Sequence, residues 1–246
     1  MPWDMGKLVK DAESRKIFAG VLDESTLMTL YRMSSKGTFK TLYGIIKSGK
    51  ESSVLIAETA DGKMLAIKVY AIGAANFKRM QPYIIGDSRF TNIKKDKQSF
   101  VYSWCRKEFQ NLQRAKNAGV NCPEVFAFAK NVLVMELLGN DMDSFPKLTN
   151  TKITNHKKLF KEVVKNMKLL YQKAGLVHTD LSEYNILIDN EEKPWLIDFS
   201  QSVMRDHPNA EYFLRKDVKN ICNYFSRHGV ECDEESLHDE IKGYKD

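Results

Sequence analysis

His178-Thr179-Asp180-Leu181-Ser182-Glu183-Tyr184-Asn185 runs straight into an apolar stretch, Ile186-Leu187-Ile188. A second apolar run, Trp195 to Ile197, ends on Asp198-Phe199. An Asp, an Asn five positions later and another Asp after an apolar strand form a layout for phosphoryl transfer. The chemistry explains the residue types. A carboxylate must orient an attacking hydroxyl and accept its proton, work open to Asp180. An amide oxygen and a second carboxylate, Asn185 and Asp198, can hold Mg²⁺ against nucleotide phosphates. Taken singly, Asp180 and Asn185 would be ordinary turn formers. Three polar groups spaced around two short strands argue against that reading.

Two further features belong to the same chemistry. In Leu65-Ala66-Ile67-Lys68-Val69, alternation places Lys68 on the strand face opposite Leu65, Ile67 and Val69. A lysine inside a half-buried strand needs an anionic partner, and nucleotide phosphates would serve; the alternative is an exposed lysine on an edge strand. Glu108 lies four residues after Trp104 and four before Leu112, on the apolar stripe of a helix. A carboxylate there should be paired, and Lys68 is the candidate; otherwise Glu108 sits at the stripe edge in solvent. A strand-lysine to helix-glutamate pair positions the α- and β-phosphates in kinases.

Lys47-Ser48-Gly49-Lys50-Glu51-Ser52-Ser53-Val54, preceded by Gly44, comes close to a P-loop. Glu51 stands where the P-loop needs a hydroxyl for Mg²⁺, and Val54-Leu55-Ile56 reads as a strand rather than a helix. A turn over the phosphates between two strands fits better, with Ser48 to Ser53 offering N–H groups and hydroxyls.

The elements that must carry these residues are legible in outline. A short helix is expected over Glu24–Ser35. Residues 38–70 read as strand, Asp61-Gly62 turn, strand. Helices are expected over Val101–Gly119, Thr154–Ala174 and about Glu211–Phe225, with strands at Pro123–Ala129, Asn131–Met135, Ile186–Ile188 and Trp195–Ile197. Strands crowd the first half and helices the second. That order predicts an α+β chain of two lobes with a cleft near Met135 to Gly139. The expected divisions are an N-terminal extension 1–36, a β-rich lobe 37–135 and a helical lobe 136–246. Within the β-rich lobe, about 76–99 reads as a flexible basic loop with a short helix near Phe77.

Composition fits an ordinary globular protein. The 246 residues are 43% hydrophobic and 28% charged, with a net charge of +6. Collagen, a disordered tail and a disulfide miniprotein are excluded. Cys105, Cys122, Cys222 and Cys232 form no CxxC pair and no zinc spacing. They read as four free thiols in a reducing compartment. The N-terminus lacks the apolar core of a signal peptide, and no run is long enough to span a membrane, so a cytoplasmic protein is expected. Seven lysines (147, 152, 157, 158, 161, 165 and 168) cluster around the long helix, opposed by Glu162 alone. They read as a solvated face or as contacts to an RNA phosphate backbone. Nothing suggests base reading or DNA specificity. The acidic residues from Glu231 to Glu240 read as a solvated end.

Together these segments resemble the RIO family of atypical serine/threonine protein kinases. KSGKESSV stands at that family's phosphate loop, HTDLSEYNIL at its catalytic loop and IDFSQSV at its metal loop. VLDESTLMTLYRMSSKGTFKTLYGIIKSGKE resembles the type-1 branch; the type-2 branch opens with a winged-helix domain, for which too few residues precede Gly37. The resemblance covers about residues 21–225 and implies a trimmed two-lobed protein-kinase fold that uses ATP and Mg²⁺, for which Mn²⁺ can stand in.

It also implies roles. Lys68, supported by Glu108, contacts the phosphates, under a loop containing Ser48, Gly49, Lys50, Glu51 and Ser53. Asp180 is the base, and Asn185 and Asp198 bind the metal. Asp198 is also a transient phospho-acceptor. Adenine meets the backbone of Met135-Glu136-Leu137. The implied partners are ATP, the chain itself through autophosphorylation, with Ser88, Thr91 and Ser99 as candidates, and a pre-40S or 30S ribosomal particle with its RNA.

Departures from common patterns are specific. Ordinary kinases have His-Arg-Asp where this chain has His-Thr-Asp, and Phe-Gly where it has Phe199-Ser200. No Ala-Pro-Glu follows Asp198. Within the RIO pattern, Ser52-Ser53 replace a common Ala-Asn and Leu55 a common Tyr. Two other readings compete: an assembly factor that uses nucleotide only to change shape, and a small-molecule kinase of the aminoglycoside type. Against the latter, only about 50 residues follow Asp198, little room for a large helical substrate lobe.

Overall fold

The computed structural model describes residues 22–73, 80–90 and 96–243. Contacts divide the chain into two units, 1–77 with 93–109 and 124–144, and 78–92 with 110–123 and 145–246. Residues 124–144 thus belong whole to the first unit, whereas the expected division fell at Met135.

The first unit is built on an antiparallel sheet of β1 (Thr41–Ser48), β2 (Ser52–Glu58), β3 (Met64–Tyr70), β4 (Val125–Ala129) and β5 (Val132–Glu136), in the order β1-β2-β3-β5-β4. Alternation sets one face inward. Leu55, Leu65, Ile67, Val69, Val132 and Val134 join one core cluster. Helix α1 (Glu24–Ser35) covers it with Leu27, Leu30 and Met33, each worth about 1.5–3 kcal/mol when fully buried. Asp23 caps α1 by accepting the Thr26 N–H at 2.8 Å. Asn131, fully buried, donates to Thr26 Oγ1 and to the Tyr70 carbonyl at 2.8 and 2.9 Å. It therefore fixes the end of β3, two residues past Lys68.

Helix α2 (Lys97–Asn117) starts four residues earlier than expected, and the division between units falls within it, after Phe109. In the second unit, Asn155 caps α3 (His156–Lys168) by accepting the Lys158 N–H at 2.9 Å. The helix continues as one π turn over Leu169–Lys173. Leu159, Val163, Val164 and Met167 are its buried stripe. Three antiparallel ribbons complete the strands: β6 (Gly139–Asn140) with β7 (Asp143–Ser144) in the first unit, then β8 (Leu176–Val177) with β11 (Val203–Met204), and β9 (Ile186–Ile188) with β10 (Pro194–Leu196), in the second. Helix α4 (Ala210–Ser226) buries Phe213, Leu214, Asp217, Val218 and Ile221.

Three expectations are modified by the structure. The acids Glu231, Asp233, Glu234, Glu235 and Glu240 are exposed, as expected, but they stand on a folded end. Residues 234–242 form α5 (Glu234–Lys242), capped by Asp233 and by Gly243 at φ +84°, with Leu237, His238 and Ile241 buried. Residues 80–90, within the expected basic loop, make defined contacts. Asp87 is buried and paired with Arg89 at 2.7 Å, and Tyr83 stacks on Phe213 at 5.2 Å. Phe77, Lys78, Arg79, Thr91, Lys94 and Lys95 lie outside the described residues.

Finally, the cysteines are not four free thiols. Cys222 and Cys232 form a disulfide across a separation of 10 residues, while Cys105 and Cys122 are free and buried. Spacing alone could not show this, because it needed the turn after α4 to bring Cys232 back. The pairing also removes the ground for a reducing compartment. Closing so short a loop contributes about 2–3 kcal/mol. Reduction should lower the melting temperature by about 5–10 °C. The Cys222→Ser/Cys232→Ser protein should show no such response; equal melting of reduced and oxidised protein would contradict the bridge. Among the described residues, no helix is long and apolar enough to cross a membrane.

Candidate active site

The first unit assembles one set of the expected residues. Lys68 Nζ lies 2.8 Å from Glu108 Oε1, with both side chains buried, at 8% and 1% exposure. Strand β3 delivers the lysine, and the apolar stripe of α2 delivers the glutamate. Tyr70 donates its hydroxyl to Glu108 Oε2, so both carboxylate oxygens are engaged. Tyr70 follows Lys68 by two residues and shares its face, which is the signal that could have revealed it. Burial pushes the Cys105 thiol far above its ordinary pKa, and the Glu108 carboxylate adds to the shift. That cysteine is therefore an unreactive neighbour.

The segment 48–53 is a tight turn between β1 and β2, and β2 is a strand, so no P-loop helix follows. Gly49 donates its N–H to the Ser52 carbonyl at 2.9 Å. A Cβ on Gly49 would lie 3.3 Å from that same oxygen, so a side chain there would crowd the turn. The Ser48 and Ser53 hydroxyls are 3.3 Å apart; Lys50 and Glu51 are exposed at the tip. Met135 and Glu136 close β5, and Leu137 lies one residue beyond it. Glu136 N–H donates to the Glu124 carbonyl at 2.8 Å.

The second unit assembles the other set. Hairpin β9–β10 has Asn185 just before one strand and Ile197-Asp198 just after the other, so its open end brings them together. The Ile197 N–H donates to the Asn185 carbonyl at 3.0 Å. Asn185 Nδ2 donates to the Asp180 carbonyl at 2.8 Å and to Asp180 Oδ2 at 3.1 Å. Asp180 is half-exposed, and Lys216 Nζ stands 3.6 Å from its Oδ1. Asp198 is exposed, and its Oδ1 accepts the Ser200 hydroxyl at 2.8 Å. The serine that replaces the common glycine thus orients the aspartate.

Both loops hold unusual backbone. Thr179 has φ +76° and Asp198 φ +64°, a region that costs non-glycine residues about 1–3 kcal/mol. Asp217 holds the first in place. It accepts the Thr179 N–H at 2.7 Å and the Leu181 N–H at 2.8 Å, on either side of Asp180. Complete burial raises its pKa to about 7, against the lowering effect of those two hydrogen bonds and Lys216. Sequence reasoning missed Asp217, although it lies midway between Phe213 and Ile221 on the buried stripe of α4. Glu108 stands out in the sequence by the same rule.

The second loop has its own support. Fully buried Asn111 donates to the Phe199 and Ser202 carbonyls, both at 2.9 Å. Arg89 Nη1 donates to Asn111 Oδ1 at 2.9 Å. Of the candidate phosphorylation sites, Ser88 lies in a short turn, Ser99 in the first turn of α2 and Thr91 outside the described residues.

The donor chemistry fits a hard cation. Asn185 directs its amide nitrogen at Asp180, so its oxygen is the atom left to act as a donor, and the Asp198 carboxylate offers the second. Among the described residues no cluster of three or more His, Cys, Asp or Glu could hold a metal ion alone. Mg²⁺ characteristically takes one or two protein oxygens and completes its shell with phosphates and water.

A sheet-based unit carrying a buried lysine–glutamate pair and a helical unit carrying Asp180, Asn185 and Asp198 define a protein-kinase-like fold. The RIO domain profile matches residues 53–237. The RIO-type serine/threonine-protein kinase Rio1 of Haloferax volcanii is 41% identical over 235 residues, covering 96% of this chain and 80% of that protein. The human serine/threonine-protein kinase RIO1 is 39% identical over 226 residues, 90% of this chain and 40% of that one. The Rio2 kinase of Chaetomium thermophilum, solved as an ADP/Mg²⁺-phosphoaspartate complex, superposes with a TM-score of 0.69 at 25% identity. That match covers 91% of this chain and 67% of the other. This chain belongs to the RIO family of serine/threonine protein kinases.

Proposed function

We propose that this chain transfers the γ-phosphoryl group of ATP, with Mg²⁺, to serine hydroxyls, its own among them, and to water. The observation that carries the reading is the half-exposed Asp180 carboxylate, fixed by the Asn185 amide and flanked by two N–H groups anchored on Asp217. Lys68, held by Glu108 and Tyr70, binds α- and β-phosphates. The turn from Ser48 to Ser53, with Lys50 and Glu51 at its tip, supplies N–H groups over the phosphates. The backbone of Met135-Glu136-Leu137 receives the adenine.

Asn185 and Asp198 hold Mg²⁺, which neutralises charge on the phosphates when bound. Asp180 orients the serine hydroxyl and accepts its proton as the oxygen–phosphorus bond forms and ADP leaves. The Asp198 carboxylate is a second acceptor: it takes the phosphoryl group with loss of ADP, and water then releases phosphate. The phosphoaspartate of the Chaetomium Rio2 complex supports that branch. Family kinship supports a cytoplasmic role in maturation of the small ribosomal subunit.

The test uses γ-labelled ATP with Mg²⁺ and scores protein-bound and free phosphate together, beside Asp180→Asn. Label on serine that disappears in the variant supports a kinase. Free phosphate with a base-labile, hydroxylamine-sensitive label on Asp198 supports the hydrolytic branch. Neither product would leave the chain a nucleotide-binding assembly factor. Lys68→Ala should weaken nucleotide binding about tenfold, or ~1.4 kcal/mol, and Glu108→Gln nearly as much. Calorimetric titrations that match wild type would refute both assignments.

A further inference from the structure

A groove of about 820 Å³ runs beside α3, away from every residue assigned above. Phe160, Val164, Leu169 and Val230 give it an apolar floor. Along one wall stand Lys157, Lys161, Lys165 and Lys168, with Lys173 at the end of the π turn. Glu231, in the loop after α4, and Glu240, on α5, also line it. The disulfide fixes the first of these, because Gly229–Glu231 belong to the loop closed by Cys222 and Cys232.

The lysine wall is unfavourable for the helix that carries it. Lysines four apart, 157 to 161 and 161 to 165, repel each other by about 0.2–0.5 kcal/mol per pair. The first turn of α3 contains no acid, so its N-terminal dipole faces like charge. Internal neutralisation is slight. Lys165 meets Glu162 at 3.6 Å and Lys168 meets Glu240 at 3.1 Å, both as exposed pairs of little strength. Lys157, Lys161 and Lys173 have no ion-pair partner among the described residues. A merely solvated face has no need of such a row above an apolar floor.

We propose that this groove docks an acidic amphipathic helix of a protein partner. The floor calls for apolar side chains at i, i+3 or i+4, and i+7, as in other helix-in-groove complexes. The lysines call for Asp or Glu at four-residue spacing on the edge facing α3, and Glu231 calls for a neutral or basic residue beside it. From Lys157 to Lys168 the wall is about 16 Å long at 1.5 Å per residue, matching about three turns of a helix. A nucleic-acid backbone fits less well. It has no apolar groups for the floor, and the two glutamates would repel it.

The test is selection of displayed random 15-residue peptides on the native protein, with counter-selection on Lys157→Glu/Lys161→Glu/Lys173→Glu. These are exposed surface positions outside the active site, so phosphoryl transfer should match wild type and melting should not fall. The expected winners carry the apolar spacing with acids on one edge. By fluorescence anisotropy, the best peptide should bind the triple variant at least tenfold more weakly, and a scrambled version should lose a similar factor on the native protein. Winners without that pattern, or equal binding of the scrambled peptide, would overturn the proposal. So would a labelled 15-nucleotide RNA that binds more tightly than the peptide and displaces it, which would make the groove a nucleic-acid surface.

Discussion

Asp180→Asn should lower phosphoryl transfer by about 10²–10⁴-fold, the usual contribution of a positioned general base, equivalent to ~2.7–5.5 kcal/mol of barrier. The substitution is nearly isosteric, and its amide oxygen can still accept from Asn185. What it loses is a carboxylate able to take the proton of the attacking hydroxyl. Lys216, 3.6 Å away, loses a counter-charge but is itself half-exposed, so stability should change little. Nucleotide affinity should stay at the wild-type value, because Asp180 is assigned no phosphate and no metal. Single-turnover transfer measured beside a calorimetric titration separates the two effects. Undiminished transfer would remove Asp180 from the role of base.

Asp217→Ala, on α4 beneath the loop that carries Asp180, should be strongly destabilising. It strands the N–H groups of Thr179 and Leu181, both buried, at about 1–3 kcal/mol each. It also leaves the left-handed Thr179 without the bond that offsets its strain. A total of about 4 kcal/mol corresponds to a fall of ~8–16 °C in melting temperature for a chain of this size. Transfer should fail even at temperatures where the variant is folded.

The pH dependence distinguishes this role from ordinary packing. Asp217 ionises near 3.8 when unfolded and at about 7 when folded. The folded state therefore holds its proton more tightly, and the contribution to stability is complete below the unfolded value. It declines as pH rises from about 4 and is gone above about 7. Wild type should lose stability across that window relative to Asp217→Ala. Parallel curves for the two proteins would refute the assignment.

How far the site could be read in advance depended on how each residue is used. Lys68 and Glu108 were legible because each is a charge on an apolar stripe, and two such charges must meet. Asp180, Asn185 and Asp198 were legible because their spacing brackets a hairpin. Asp217 obeyed the same rule as Glu108 but lay outside the recognised motifs, so nothing singled it out. Helix α5 was hidden because its acids dominate a segment whose only apolar anchors are Leu237 and Ile241. Arg89 read as one more cation in a basic loop, because the buried carboxylate of Asp87 and the amide of Asn111 that hold it are tertiary facts. The cysteine bridge depended on the chain reversal after α4, which no local pattern encodes.

The left-handed backbone at Thr179 and Asp198 sets a trade-off for anyone who engineers this chain. Both positions would gain conformational ease from Gly or Asn, the residues that tolerate that region. Both flank or supply the groups proposed to react. A library screened for heat tolerance alone would therefore enrich replacements at these two sites and discard the activity with the strain. Selection for a hardier enzyme should hold 179 and 198 fixed and seek its gains at exposed helix positions, where a better residue relaxes nothing that the chemistry uses.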